Sequence, residues 1–212
     1  MDTPVTKKQQ THQRIVETAA RAIRRGGFHG VGVADIMKEA GLTHGGFYAH
    51  FPSRDALLVE ALGQAGRESG ERIAKGAVAR QARGASPFRA LVDGYLSDSH
   101  LAEPHSGCPV AALAGEMPRQ APEVREAAAA RVRGLIATVA TALPAGSPAT
   151  SAALVASQLV GALQLARALG EGAQAKALLA NTRKQLIAQY DAPAPSSSTS
   201  SSSPRKPTKD PS

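Results

Sequence analysis

Gly30-Val-Gly-Val-Ala-Asp-Ile-Met-Lys-Glu-Ala-Gly-Leu-Thr-His-Gly-Gly-Phe-Tyr-Ala-His-Phe51 decides how the rest of the chain is read. The pattern predicts a short helix over about Val33–Ala40, with Ile36 and Met37 turned inward and Asp35 and Glu39 in solvent. A sharp turn follows at Ala40-Gly41-Leu42, and then a second short helix from Thr43. Thr43 suits its N-cap, because a hydroxyl there accepts from an otherwise unpaired backbone N–H. Phe47 and Phe51, four apart, are expected to pack into a small core. The rest of this second helix carries polar and ring-bearing side chains and two glycines where a core helix would carry leucines. Two short helices about a glycine turn, the second with an undressed polar face, follow the plan of a helix-turn-helix, whose second helix enters the major groove of DNA.

The flanks agree with that plan. A first helix over about Lys8–Arg25 buries Val16, Ala19, Ala20 and Ile23, spaced i, i+3, i+4, i+7, and stops at Gly26-Gly27. Phe28 is then expected to plug the small core. After Pro52, Ser53 is a good N-cap for a fourth helix, with Asp55 near its positive end. That helix is expected to reach about Val78 along an apolar face of Leu57, Leu58, Ala61 and Leu62. Gly63, Gly66, Gly70 and Gly76 cast doubt on its continuity, each costing up to about 1 kcal/mol against alanine.

Downstream, helices are expected near Phe88–Leu101, Pro109–Met117, Pro122–Leu143, Ser147–Leu169 and Ala173–Tyr190. Proline and glycine breaks separate them. No period-two apolar pattern appears, so the chain reads as all-α. The expected organisation is an N-terminal three-helix helix-turn-helix domain (1–55), a C-terminal helical domain (56–190) and a Ser/Pro-rich tail (191–212) too polar to bury a core.

The 212 residues carry a formal net charge of +8, which suits a polyanionic partner. Part of the excess lies in the tail at Arg205, Lys206 and Lys209. Over 1–55, eight basic residues stand against five acidic ones, a moderate excess fit for phosphate. A single cysteine, Cys108, excludes an internal disulfide. A reducing compartment, the cytoplasm, is the simplest setting, with no membrane partner. No metal-ligand spacing and no catalytic motif is present, so neither an enzyme nor a cofactor is expected.

The segment 14–62 resembles the DNA-binding domain of the TetR family of bacterial transcriptional regulators. The resemblance is carried by Gly26-Gly27-Phe28, Val33-Ala-Asp-Ile36, Ala40-Gly41-Leu42-Thr43, Gly46-Phe47-Tyr48-Ala49-His50-Phe51 and Ser53-Arg54-Asp55-Ala56-Leu57. Gly107-Cys-Pro-Val-Ala-Ala-Leu-Ala-Gly-Glu116 resembles a segment of one subgroup. One departure is Gly32-Val33, where the family often has Thr or Ser opening the second helix. The resemblance implies that Thr43, Tyr48, His50 and Arg54 hold phosphates while His44, Gly45 and Gly46 face base edges. Tyr48 also reads as a core aromatic with its hydroxyl at the surface, and His50 equally as a structural histidine.

The resemblance further implies a homodimer on a palindromic operator in double-stranded DNA, released by a small-molecule effector, and acting as a repressor more often than an activator. Leu154, Gln158, Gly161, Leu165 and Ala168 fall near one helix face and suit either the dimer surface or the core. With aromatic content of only 3%, an aliphatic effector pocket is expected, with Tyr95, His100, His105, Cys108 and Met117 as its polar or soft lining. Cys108, between Gly107 and the helix-opening Pro109, has two readings. It is an inert buried thiol, or a thiolate near a helix N-terminus that senses electrophiles or oxidants.

Overall fold

The computed structural model describes residues 6–170 and 172–191. The tail expected at 191–212 therefore lies outside the described residues, apart from Asp191. Among those described there are nine α-helices and no strand. They are α1 (Lys7–Gly26), α2 (Val33–Glu39), α3 (Arg54–Gln81), α4 (Pro87–Tyr95), α5 (Asp98–Ala102), α6 (Pro109–Leu113), α7 (Pro122–Ala142), α8 (Ser151–Ala168) and α9 (Ala173–Tyr190). No helix among the described residues is long and apolar enough to cross a membrane.

The N-terminal unit forms as its local signals dictate. Thr6 opens α1 with a reciprocal cap: its hydroxyl accepts from Gln9 N–H at 3.2 Å, and the Gln9 side chain accepts from Thr6 N–H at 2.8 Å. Thr-x-x-Gln is the sequence signature of that box, so this start was open to reading. The Ala40-Gly41-Leu42 turn is a Schellman stop. Gly41 N–H donates to Lys38 at 3.0 Å and Leu42 N–H to Met37 at 2.8 Å. Gly41 sits at φ +71°, the left-handed region that glycine enters freely. Ser53 caps α3 by accepting from Ala56 N–H at 3.0 Å.

Two hydrophobic clusters divide the molecule. The first holds Ile15, Val16, Ala19, Ile23, Phe28, Ile36, Met37, Phe47 and Phe51 with Leu57–Ala65 of α3, and it also takes in Leu113, Met117, Val124 and Ala128. The second gathers α4 to α9 around Tyr95, Leu101, Val139, Leu159, Leu163 and Leu179. The first half of α3 thus belongs to the small core and its second half to the body. The structure runs α3 unbroken through its four glycines, because apolar packing on both neighbours outweighs their propensity cost.

Four expected elements differ. The segment after Thr43 is a 3₁₀ helix, His44–Ala49, and the Thr43 side chain makes no capping hydrogen bond. Gly45-Gly46 weakens the α-form there, and i→i+3 bonds close the tighter turn. The helix expected over Phe88–Leu101 breaks at Leu96-Ser97, where the Ser97 hydroxyl accepts from His100 N–H at 3.2 Å and starts α5. The one expected over Pro109–Met117 ends at Leu113, before a 3₁₀ turn at Met117–Arg119. That expected from Ser147 begins at Ser151, beyond Pro148.

Candidate DNA interface and its coupling to the body

The 3₁₀ helix is seated from below by stacked rings. Phe47 and Phe51 lie with centroids 5.5 Å apart, and His12 of α1 stacks on Phe51 at 4.4 Å while its Nε2 meets Glu60 at 2.7 Å. With both phenylalanines buried, the other side of the turn is forced outward. Thr43, His44, Gly45 and Tyr48 are exposed there. Tyr48 is 71% exposed, its ring edge resting on Phe47, so its surface reading is the one the structure takes. A side chain added at Gly45 would meet nothing within 4 Å, and one at Gly46 only ordinary contacts at 3.7 and 3.8 Å. The fold therefore does not need glycine at either position. Both positions leave the backbone uncovered on that side of the turn.

His50 and Arg54 sit differently. His50 is half-buried, and its shielded Nδ1 has no hydrogen-bond partner. Burial, then His12 and Lys8, hold its pKa below the ordinary value, which favours a neutral ring at pH 7. Arg54 is half-buried and donates from Nη2 to the Phe28 carbonyl. The interface residues named from sequence thus share one end of the molecule. Thr43, His44, Gly45 and Tyr48 form its open face, Gly46 lies half-buried, and His50 and Arg54 form its packed margin.

The loop after α1 ties this head to the body. Glu116, ahead of α7, accepts from Phe28 N–H at 3.0 Å and faces His29 Nδ1 at 3.4 Å. Gly27 passes directly beneath that carboxylate at φ +77°, where a Cβ would stand 2.3 Å from Glu116 Oε1. Arg24, 3% exposed, donates to Gly107 O at 3.3 Å and pairs with Glu68. Burial lowers the Arg24 pKa, and Glu68 opposes that shift. The segment Gly107–Glu116 therefore touches the head at both of its ends. Neither contact was legible beforehand, since no local pattern marks a pairing across 83 or 88 positions.

Of the residues expected to line an effector pocket, Tyr95, His100 and Cys108 come together. His100 is 2% exposed. Its Nδ1 donates to Tyr95 O at 2.7 Å, and its Nε2 accepts from Cys108 N–H at 3.0 Å. Burial pushes its pKa down to about 4, so the ring is neutral and both nitrogens are engaged. Arg167 donates to the His100 carbonyl at 2.7 Å. The Tyr95 ring stands edge-on to His100, and its hydroxyl is buried without a partner. That burial raises its pKa well above the ordinary value. Cys108, 4% exposed, borders a cleft of about 210 Å³ between α3, α6 and α7. His105 lies apart on the surface, and Met117 belongs to the core beneath α1.

The face of α8 named from sequence is an outer one. Leu154 and Leu165 are 56% and 61% exposed, whereas Val155, Leu159 and Leu163 fill the core. Gln158 and Ala168 are exposed and Gly161 half-buried along the same stripe.

Comparison with known proteins agrees with this architecture. Residues 15–61 match the bacterial regulatory proteins of the tetR family, and residues 84–186 match the tetracyclin repressor-like C-terminal domain. The Mycobacterium tuberculosis H37Rv HTH-type transcriptional regulator Rv0196 is 33% identical over 171 residues, covering 75% of this chain and 85% of that protein. The Bacillus subtilis HTH-type regulator LmrA is 29% identical over 120 residues, covering 55% and 62%. The solved structure of a TetR regulator from Chloroflexus aurantiacus J-10-FL superposes with a TM-score of 0.67 at 26% identity, covering 86% of this chain and 96% of that one. Escherichia coli NemR in its reduced form shares the fold, with a TM-score of 0.69 at 22% identity over 87% and 99% of the two chains. The chain belongs to the TetR family: it is a DNA-binding transcriptional regulator and not an enzyme.

Proposed function

We propose that the protein is an effector-responsive repressor that binds a palindromic operator as a homodimer and releases it when a small molecule occupies the helical body. The observation that carries this reading is the double attachment of Gly107–Glu116. One end holds Arg24 of α1 and the other holds the Phe28 loop that leads into α2. A ligand that prefers one placement of this segment changes the placement of the DNA-reading head, which is the differential affinity allostery requires.

On the operator, Thr43 and Tyr48 offer hydroxyls to phosphates, and His50 offers a ring N–H. Arg54 keeps N–H donors beyond the one given to Phe28. His44 and the bare backbone of Gly45-Gly46 face the base edges, where sequence is read. One head spans only a few base pairs, so a second copy about one DNA turn away, ~34–36 Å, supplies the remaining specificity. The exposed leucine stripe of α8 suits that pairing, because an apolar face in water favours association.

Selection of bound duplexes from a random library tests the reading. A two-fold symmetric consensus, bound by a species that sediments as a dimer, is the expected result. Equal binding to all duplexes, or a monomer at micromolar concentration on its selected site, refutes it.

A further inference from the structure

The cleft between α3, α6 and α7 explains two of the glycines that weaken α3. At Gly66 a Cβ would lie 2.6 Å from Arg131 Nη1 and 2.8 Å from its Cδ, so the Arg131 side chain lies across the helix there. At Gly70 and at Gly134 of α7 a Cβ would meet nothing within 4 Å. Packing does not require either glycine, yet both border the cleft and leave it open.

Two polar groups in its wall lack partners. Ser69 is 4% exposed and lines the cleft, and its hydroxyl makes no hydrogen bond among the described residues. Arg131 is half-buried in the same wall and has no hydrogen bond or carboxylate partner among the described residues. Elsewhere in the body Arg72 is paired with Glu103 and Arg133 with Glu126. No acidic residue lines the cleft; Ile73, Val110 and Leu135 give it an aliphatic wall beside Cys108 and Thr138, whose hydroxyl donates to the Gly134 carbonyl at 2.9 Å. A partly desolvated guanidinium is a ready fork for a carboxylate.

We propose that the effector is a short aliphatic carboxylate, its carboxylate on Arg131 and Ser69 and its hydrocarbon chain against Ile73, Val110 and Leu135. This deepens, and rests on, the effector-responsive reading above. The cleft, about 210 Å³ in volume, suits a small acid such as hexanoate. The cleft also borders Cys108-Pro109-Val110, the start of the segment attached to the head. A ligand there leans on the element that positions the DNA-reading face.

Calorimetric titration of the full chain with hexanoate, with hexanol as neutral isostere and chloride holding ionic strength constant, tests the assignment. Hexanoate is expected to bind at least about tenfold more tightly than hexanol, since hydrogen bonds to charged groups are the strong ones. Arg131→Met should weaken hexanoate about tenfold or more and abolish the discrimination. Gly70→Leu should block both ligands, with thermal unfolding reporting whether that variant is folded. Equal affinity for acid and alcohol, no binding of either, or an Arg131→Met protein that still prefers the acid overturns the proposal. Operator release is read separately. Hexanoate that binds without releasing DNA leaves the carboxylate site standing and sinks the effector reading. Release by neutral compounds alone keeps the effector reading and sinks the carboxylate site.

Discussion

The Glu116 carboxylate accepts the Phe28 N–H at 3.0 Å, joining residues 88 positions apart and fastening the head of the molecule to its body. Gly27 lies beneath the same carboxylate at φ +77° and ψ 174°, a backbone region essentially confined to glycine. Two separate penalties therefore fall on any side chain placed there, a backbone one and a steric one.

Those penalties can be resolved. Gly27→Ala should destabilise by about 1–3 kcal/mol for its backbone alone, plus a clash with Glu116. Glu116→Ala should cost about 1–3 kcal/mol through the unpaired Phe28 N–H. The double variant should be more stable than the two losses added together, because the clash disappears with the carboxylate. Urea unfolding of the four proteins measures the coupling, and strict additivity would show that the two residues do not interact.

Gly45 and Gly41 should part company. At Gly45 the backbone is ordinary and a methyl group meets open space. Gly45→Ala should therefore leave thermal stability nearly unchanged while weakening binding to the selected operator about tenfold or more. Gly41→Ala, at φ +71°, should instead lose about 1–2 kcal/mol of stability. Melting curves and operator titrations on both variants separate a contact with DNA from a requirement of the fold.

Leu165 is 61% exposed on the outer face of α8. Leu165→Glu should preserve helical content by circular dichroism and shift the sedimenting species from dimer to monomer. Operator binding should fall with it, since one head holds too few base pairs. A Leu165→Glu protein that remains dimeric would move the subunit interface elsewhere.

His100 should mark the acid limb of stability. Its folded pKa of about 4 lies below the ordinary 6.5. The unfolded chain therefore takes up a proton between these values that the folded chain refuses. The contribution is complete above pH 6.5 and is lost as pH falls toward 4, by about 3 kcal/mol in all. Between pH 6.5 and 5, before most carboxylates titrate, the denaturation midpoint of the native protein should fall faster than that of His100→Asn. Parallel curves would show that the buried ring is not the group responsible.

Much of the N-terminal unit was legible because its instructions are local. Gly41 stops α2, Ser53 starts α3, and Ile36, Met37, Phe47 and Phe51 point inward by spacing alone. The candidate DNA face followed, since burying those four side chains leaves Thr43, His44, Gly45 and Tyr48 outside. The division of α8 into faces was half-legible. Its stripe had a period, but periodicity does not say which stripe meets the body and which stays open.

The amino-acid order by itself determined an all-helical chain and a glycine-turned head with Ile36, Met37, Phe47 and Phe51 turned inward, because caps, turns and helical spacing act over a few positions. Only the tertiary structure decided that residues 44–49 wind as a 3₁₀ helix, that Arg54 is drawn to Phe28, and that Glu116 holds the head. It likewise placed His105 and Met117 away from the Tyr95–His100–Cys108 cluster. These outcomes depend on which distant surfaces meet. Burial and hydrogen-bond satisfaction settle that for the whole chain at once, and no single segment carries the answer.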